Sequence, residues 1–376
     1  MTDRIREFLN TARPDGPCLV VDLDVVRDNY CAFAKSMPDT TIYYAMKANP
    51  EPQILSALAE LGSSFDCASP IEVEAALAAG ATADRISYGN TIKKERDIAH
   101  AYARGVRMFA VDCQEEVDKI VRVAPDTKVF CRILYDSGTA EWPLSRKFGC
   151  SPEMAIEVLE YAHRHNLTAH GVSFHVGSQQ PDIESWDGAL AASAMIFREL
   201  AERGIHLRMV NLGGGFPTRY LKEIPTVQTY SMAIGSALRR HFGNRLPETI
   251  IEPGRGMVGD AGIIKTEVVL VSRKSAEDPT RWVYLDVGKF GGLAETMDEA
   301  IRYPIRTPHD GTPISPCILA GPTCDSADVL YEKTPYELPL SLTIGDELLI
   351  EGTGAYTSMY SSVGFNGFAP LRSYVI

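Results

Sequence analysis

The sequence predicts an α/β chain: a (β/α)8 TIM barrel over residues 22–260, joined to a mostly β domain formed by residues 1–21 and 261–376. Three observations carry this. Short apolar, β-branched runs recur eight times through the first two thirds of the chain, each followed by a helical pattern. Eight such units in about 240 residues match the length a barrel of this kind needs. No G-x-G-x-x-G opens the first helix, as a dinucleotide-binding doubly wound sheet would require.

The expected barrel strands are Thr41–Met46, Ser64–Cys67, Arg85–Gly89, Met108–Asp112, Lys128–Leu134, Ala169–Phe174, Arg208–Asn211 and Thr249–Ile251. Between them, "EVEAALAAG", "KKERDIAHAYARG" and "CQEEVDKIVRVA" carry helical spacing with charged outer faces. One helix start is explicit. In "CASPIEVEAAL", Ser69 caps, Pro70 takes the first helical position and Glu72 completes a capping box. After about residue 260 the texture changes. "IIKTEVVLVSRK", "RWVYLDVG", "PISPCILAG" and "DELLIEGTGAY" are strands separated by Pro, Gly and Asp, and "PCLVVDLDVV" near the start would add one more.

A chain of 376 residues is comfortable for two domains. The net charge of −12 argues against nucleic acid, whose phosphates require clustered Lys and Arg, and suits a cationic small molecule. Eight cysteines are scattered without CxxC spacing or a Cys/His cluster, which reads as reduced thiols in a cytoplasmic protein, with neither disulfide frame nor metal site. The opening "MTDRIREFLN" lacks the apolar core of a signal peptide. No apolar run approaches the length of a membrane span, so a soluble, cytoplasmic protein is expected.

In such a barrel, chemistry gathers where strands end. Those positions hold Lys47 (of "YYAMKANP"), Asp66, Asn90, Arg132, His175 with Ser178, the triplet Gly213, Gly214 and Gly215, and Glu252 with Arg255. In "NLGGGFP" the glycines let backbone N–H groups approach an anion; read alone, the triplet is as readily a tight turn. The next strand ends "IIEPGRG" and sets Glu252 and Arg255 beside it, and a phosphate site after strands seven and eight is a recurrent use of this barrel. A phosphate site, a half-sheltered rim lysine and a carboxylate together point to pyridoxal phosphate (PLP). Lys47 would bind it covalently, Glu252 would keep the pyridine nitrogen protonated, and His175 would stack on the ring. Each residue has a plainer alternative: a solvated Lys47, a structurally paired Glu252, a satisfied core His175.

The ordered motifs "AMKANP", "FDCAS", "FHVGSQ", "NLGGGFP", "EPGR", "GPTCDSAD", "GAYT" and "FNGF" resemble those of the alanine-racemase-fold (fold type III) PLP decarboxylases, most closely the ornithine/lysine decarboxylase branch. The resemblance runs from about Pro17 to the end. It implies that Lys47 is the PLP lysine and Glu252 the partner of the pyridine nitrogen. Asp66 and Arg132 would flank the ring, with Glu72 behind them. Ser178, the glycines, Arg255 and Tyr356 would hold the phosphate. The family is a head-to-tail homodimer with two shared active sites. "GPTCDSAD" would then reach into the neighbour's site, where Cys324 returns a proton to the α-carbon after CO2 leaves and Asp325 binds the substrate's distal ammonium. Phe365 would line the shared pocket. A cysteine so placed is otherwise a buried small hydrophobe.

Specificity should lie in "KFGGLAETMDEAIRYP", where Glu295, Asp298 and Glu299 supply carboxylates for a terminal ammonium. In ungapped register Glu299 falls where related ornithine decarboxylases place a substrate-binding aspartate, and Phe290 stands where they have tyrosine. A shift in this short helix would put Asp298 there instead. L-Ornithine, giving putrescine, is the first expectation, and L-lysine, giving cadaverine, the second. Diaminopimelate decarboxylase shares "EPGR" but ends in a segment like "YNSRPR" rather than "GFNGF", and alanine racemase normally pairs the pyridine nitrogen with arginine. A PLP-carrier barrel would lack residues 261–376. A non-catalytic relative of the antizyme inhibitor type is the other alternative, and the joint presence of Lys47, Glu252, Arg255 and Cys324 weighs against it.

Overall fold

The computed structural model describes residues 1–135 and 147–376, the side chain of Phe365 excepted. The chain forms two compact units: Met1–Val26 with Thr218–Glu223 and Met257–Ile376, and Arg27–Pro217 with Ile224–Gly256. The first unit holds β1 (Cys18–Val21). The second holds β2 (Thr40–Ala45), β3 (Ser64–Cys67), β4 (Ile86–Tyr88), β5 (Met108–Val111), β6 (Lys128–Arg132), β7 (Thr168–Ser173), β8 (Met209–Asn211) and β9 (Glu248–Ile251). These eight close into a parallel barrel in chain order, β9 pairing back onto β2 through Thr40↔Thr249. All eight expected strands form, four of them trimmed by a residue or two and three others shifted or extended by one.

Alternation along each strand sends every second side chain inward. At mid-height Tyr43, Ala110, Phe130, Met209 and Ile250 meet and fill the barrel. Toward the C-terminal mouth the inward positions turn polar, with Asp66, Arg132, Asn211 and Glu252. The outer helices start as their sequences direct: Ser69, Ser151 and Thr226 accept from the backbone N–H three residues on, and prolines open Pro52–Glu60, Pro70–Ala78 and Pro152–Arg164. One detail departs from the expected capping box. The Glu72 carboxylate turns back to the N–H of Ala68, at 2.5 Å, rather than to that of Ser69, which ties the β3 exit to the helix start.

The other unit is a single hydrogen-bonded sheet. Besides β1 it contains β10 (Gly262–Ser272), β11 (Arg281–Leu285), β12 (Ile305–Arg306), β13 (Ile314–Ala320), β14 (Val329–Pro339), β15 (Glu347–Glu351) and β16 (Arg372–Val375), in the order β12-β15-β10-β11-β13-β14. The N-terminal run joins it as expected: β1 pairs antiparallel with β10 and parallel with β16. Strand β10 is long enough to serve two sets of partners. Residues 263–267 pair with β15; a bulge between Val268 and Leu270 then turns the strand toward β11. The helix Asp3–Ala12 sets Ile5 against Cys18, Val20 and Ile263, and buried Asp22 fastens that end by accepting from Thr2 and Arg4. The inserted piece Thr218–Glu223 belongs here rather than to the barrel, since Tyr220 packs edge-on against Tyr303 with ring centres 5.4 Å apart.

Among the described residues no helix is long and apolar enough to cross a membrane, and no group of three His, Cys, Asp or Glu is placed to hold a metal ion. The cysteines are free thiols.

Candidate active site

Lys47 leaves β2 on the single 3-10 turn Met46–Ala48. Met46 and Ala48 go into the core, and the turn leaves Lys47 exposed at the barrel mouth rather than half sheltered as its apolar flank implied. Three carboxylates and a second cation share that mouth. Asp66, at the end of β3, is buried and accepts from the Ser87 hydroxyl at 3.2 Å. Burial raises its pKa well above the usual carboxylate range; Glu252 and, more weakly, Glu72 add to the rise, and Lys47 opposes it. Burial also lifts Glu72, against the pull of the Ala68 N–H and Lys47. Arg132 feels both Glu252 and Asp66, and its Cζ lies 5.5 Å from the centre of the Phe148 ring. A Cβ on Gly89 would stand 1.9 Å from Asp66 Oδ1, so only glycine fits beside that carboxylate.

His175 follows β7. Its imidazole is pushed well below its ordinary pKa, chiefly by burial and then by the positive charges of Arg132 and Lys47, and is neutral at pH 7. Its Nδ1 accepts from the Gly177 N–H at 3.0 Å, which leaves the ring proton on Nε2. The glycine triplet passes beneath. Gly213 and Gly215 have φ of +67° and +103°, and Cβ atoms on Gly213, Gly214 and Gly215 would fall 2.1, 2.7 and 2.6 Å from the carbonyl oxygens of Phe174, Glu252 and Gly177. Arg255 is buried, and its guanidinium donates to Ser178 Oγ from Nη2 at 3.2 Å. A fixed cation, a hydroxyl and close-set backbone thus converge at the ends of β7, β8 and β9.

Sequence reasoning missed Asn211. This fully buried residue closes β8, donates through Nδ2 to Glu252 Oε1, and accepts the Gly213 N–H on Oδ1 at 2.9 Å. One side chain thereby sets both the carboxylate and the glycine turn. Its signal was visible: a polar residue closing an otherwise apolar strand, two positions before the first glycine of the triplet. Asn90 is used locally, its Oδ1 accepting the Ile92 N–H.

In the sheet unit Cys324 is exposed, with its thiol donating to Asn366 Oδ1 at 3.4 Å. Asp325 is exposed and accepts the Ala327 N–H. The loop that presents them is tied by buried Asp328, a second omission, which accepts from the backbone N–H of Lys289 and from both the N–H and hydroxyl of Thr323. Tyr356 is half-buried with φ +55°, and Asp298, Glu299 and Asn366 also adopt left-handed backbone. Such strained positions gather at binding sites. Glu299 does not offer the free carboxylate expected for an ammonium. It accepts from the β14 N–H groups of Glu332, Lys333 and Thr334 and from Arg302, because its φ of +60° turns it onto that strand edge. Asp298, by contrast, is largely exposed, its side chain 85% accessible, with Lys333 at 3.2 Å. Glu295 is buried. The Phe365 side chain lies outside the described residues.

Residues 23–259 match the family model described as "Pyridoxal-dependent decarboxylase, pyridoxal binding domain". The lysine/ornithine decarboxylase of Selenomonas ruminantium is 36% identical over 354 residues, covering 94% of this chain and 87% of that protein. Antizyme inhibitor 2 of Xenopus laevis is 33% identical over 382 residues, covering 98% and 82%. The crystal structure of lysine/ornithine decarboxylase from Vibrio vulnificus complexed with cadaverine superposes with a TM-score of 0.88 at 31% identity, covering 100% of this chain and 99% of that one. The chain belongs to the pyridoxal-dependent decarboxylases of fold type III, in the ornithine/lysine decarboxylase branch.

The cofactor of this decarboxylase is pyridoxal phosphate, and the barrel mouth fits it on its own chemistry. Asp66, Glu72 and Glu252 outnumber Lys47 and Arg132, and Asp66 is destabilised as a carboxylate by burial beside Glu252. A protonated pyridine ring answers that excess negative charge. The turn at Gly213, Gly214 and Gly215 packs too tightly on the Phe174, Glu252 and Gly177 carbonyls to admit a Cβ, and beside it Arg255 and Ser178 supply the cation and hydroxyl that a phosphate requires.

Proposed function

We propose that this decarboxylase acts on basic L-amino acids, converting L-ornithine to putrescine and CO2 with L-lysine, giving cadaverine, as a second substrate, in the cytoplasmic synthesis of polyamines. The observation that carries this reading is the Glu252 carboxylate held by Asn211 beside the tight glycine turn and the Arg255–Ser178 pair, with Lys47 at the same barrel mouth. The substrate class rests on the relatives' names and on the exposed acids Asp298 and Asp325.

When bound, pyridoxal phosphate supplies the electron sink that makes loss of the α-carboxylate feasible. Lys47 would anchor it. The Arg255 guanidinium, the Ser178 hydroxyl, the N–H groups of the glycine turn and Tyr356 would bind its phosphate. Glu252, oriented by Asn211, would hold a proton on the pyridine nitrogen. Neutral His175 lends its flat face, and its neutrality spares the ring a second positive charge. Arg132 and Asp66 would set the ring between them. The Cys324 thiol, placed at an exposed loop tip by Asp328, would deliver one proton to the α-carbon, and Asp298 with Asp325 would bind the distal ammonium.

A head-to-tail homodimer with shared sites follows from this reading, with Cys324, Asp325 and Phe365 entering the neighbour's site. It is supported by the exposed apolar side chains of Tyr360 and Val363, just before "FNGF", and of Phe368, which ends it. The similarity to antizyme inhibitor 2 favours a non-catalytic scaffold, and the intact set of cofactor groups opposes it. The test is CO2 release by PLP-loaded protein from ornithine, lysine, arginine and meso-diaminopimelate in parallel, with the product amines identified. Putrescine, with a lesser yield of cadaverine, is expected. Turnover of diaminopimelate alone, or of none of the four, would overturn the assignment.

A further inference from the structure

The N-terminal end of the barrel strands, opposite the PLP groups, holds a cavity of about 400 Å³ that the decarboxylation does not use. Its inner wall is the apolar mid-barrel layer, with Tyr43, Met209 and Ile250 exposed to it. Its charged groups are sorted around the ring of strands. Asp39 precedes β2, Asp84 precedes β4 and Glu248 opens β9, so the acids lie over the β9-β2-β3-β4 arc. Arg107 precedes β5 and Lys128 opens β6, so the bases lie over the neighbouring β5-β6 arc. Arg107 is held in place, its guanidinium 3.9 Å from the Tyr102 ring centre and donating to the Tyr102 and Val106 carbonyls.

His170 of β7 also lines the cavity. It is only 6% exposed, and among the described residues its imidazole makes no hydrogen bond. Burial lowers it to a pKa of about 4; Lys128 and Arg208 push in the same direction and Glu248 opposes them. At neutral pH it is an uncharged ring with one donor and one acceptor nitrogen turned to an open space. The floor of a barrel is ordinarily packed with branched aliphatic side chains. His170 stands within that layer, whereas Lys128 and Glu248 are at its exposed rim.

We infer that this basal cavity binds a small zwitterion whose ammonium and carboxylate are separated by an apolar chain, of the ω-amino acid class. The ammonium faces Asp39, Asp84 and Glu248, the carboxylate faces Arg107 and Lys128, the methylene chain lies on Met209 and Ile250, and His170 hydrogen-bonds at the inner wall. A diamine leaves Arg107 and Lys128 opposed by a like charge, and a dicarboxylate does the same to the acids. The inference is independent of which amino acid is decarboxylated.

The probe is ε-aminocaproate, which lacks an α-amino group and so cannot be turned over, titrated calorimetrically into the PLP-loaded protein beside caproate and hexylamine. Binding of the zwitterion, with each single-charge analogue at least about tenfold weaker, is the expected result. Lys128→Met and Glu248→Gln, both at exposed rim positions, should each weaken it by a similar factor. His170 provides a readout that needs neither variant to be stable: its imidazole NMR signals, identified by their loss in His170→Gln, should shift on titration. No binding of ε-aminocaproate overturns the inference. So does binding that leaves the His170 signals in place and is indifferent to Lys128→Met, since the ligand would then sit elsewhere.

Discussion

The chemistry of this protein depends on how a few side chains restrain one another. Glu252 faces the buried carboxyl of Asp66, and burial beside it already pushes Asp66 toward protonation. Only a firmly oriented Glu252 can hold a proton on a ring nitrogen in that setting, and Asn211 supplies the orientation while pinning the N–H of Gly213. Asn211→Ala removes both contacts and leaves their partners unsatisfied in a buried place, at a cost of about 1–3 kcal/mol. Its expected signature is a fall in kcat of roughly tenfold or more, with little change in KM, together with a shifted absorbance of the bound cofactor. A variant that loses only thermal stability, with kcat and spectrum intact, would reduce Asn211 to a structural role.

At the scale of elements, the regular parts were legible and the irregular ones were not. Eight apolar runs gave eight barrel strands because each is buried on both faces and so reads as an unbroken stretch. Lys47, Asp66, Arg132 and Glu252 were legible because strand ends face the barrel mouth whatever the loops do. Two things were hidden. Asn211 and Asp328 act through hydrogen bonds whose partners are fixed by folding rather than by spacing. The short 3-10 segment Ala294–Glu299 changes backbone hand at Asp298 and Glu299, which no periodicity reveals. That reversal points Glu299 at the edge of β14 and leaves Asp298 in solvent. Glu299→Gln should therefore lower the melting temperature while KM stays near its original value. Asp298→Asn should do the opposite, raising KM about tenfold on an unchanged melting curve. Thermal melts and steady-state kinetics on the same two preparations decide between them.

For the whole molecule, the proposed sharing of sites between two subunits has a measurable consequence. The barrel carries the cofactor groups, and the sheet unit carries the exposed Cys324 and Asp325 on a loop tied by Asp328. With shared sites in a twofold dimer, mixing Lys47→Ala with Cys324→Ala subunits should restore about a quarter of full activity, because each mixed dimer keeps one intact site. Additive, near-zero activity in the mixture would mean that each chain works alone. Whether Lys47 carries the cofactor is decided by reducing the PLP-loaded protein with borohydride and locating the pyridoxyl group by peptide mass spectrometry. The label should fall on Lys47 and nowhere else; a label on another lysine such as Lys93, or none at all, would remove Lys47 from the cofactor site.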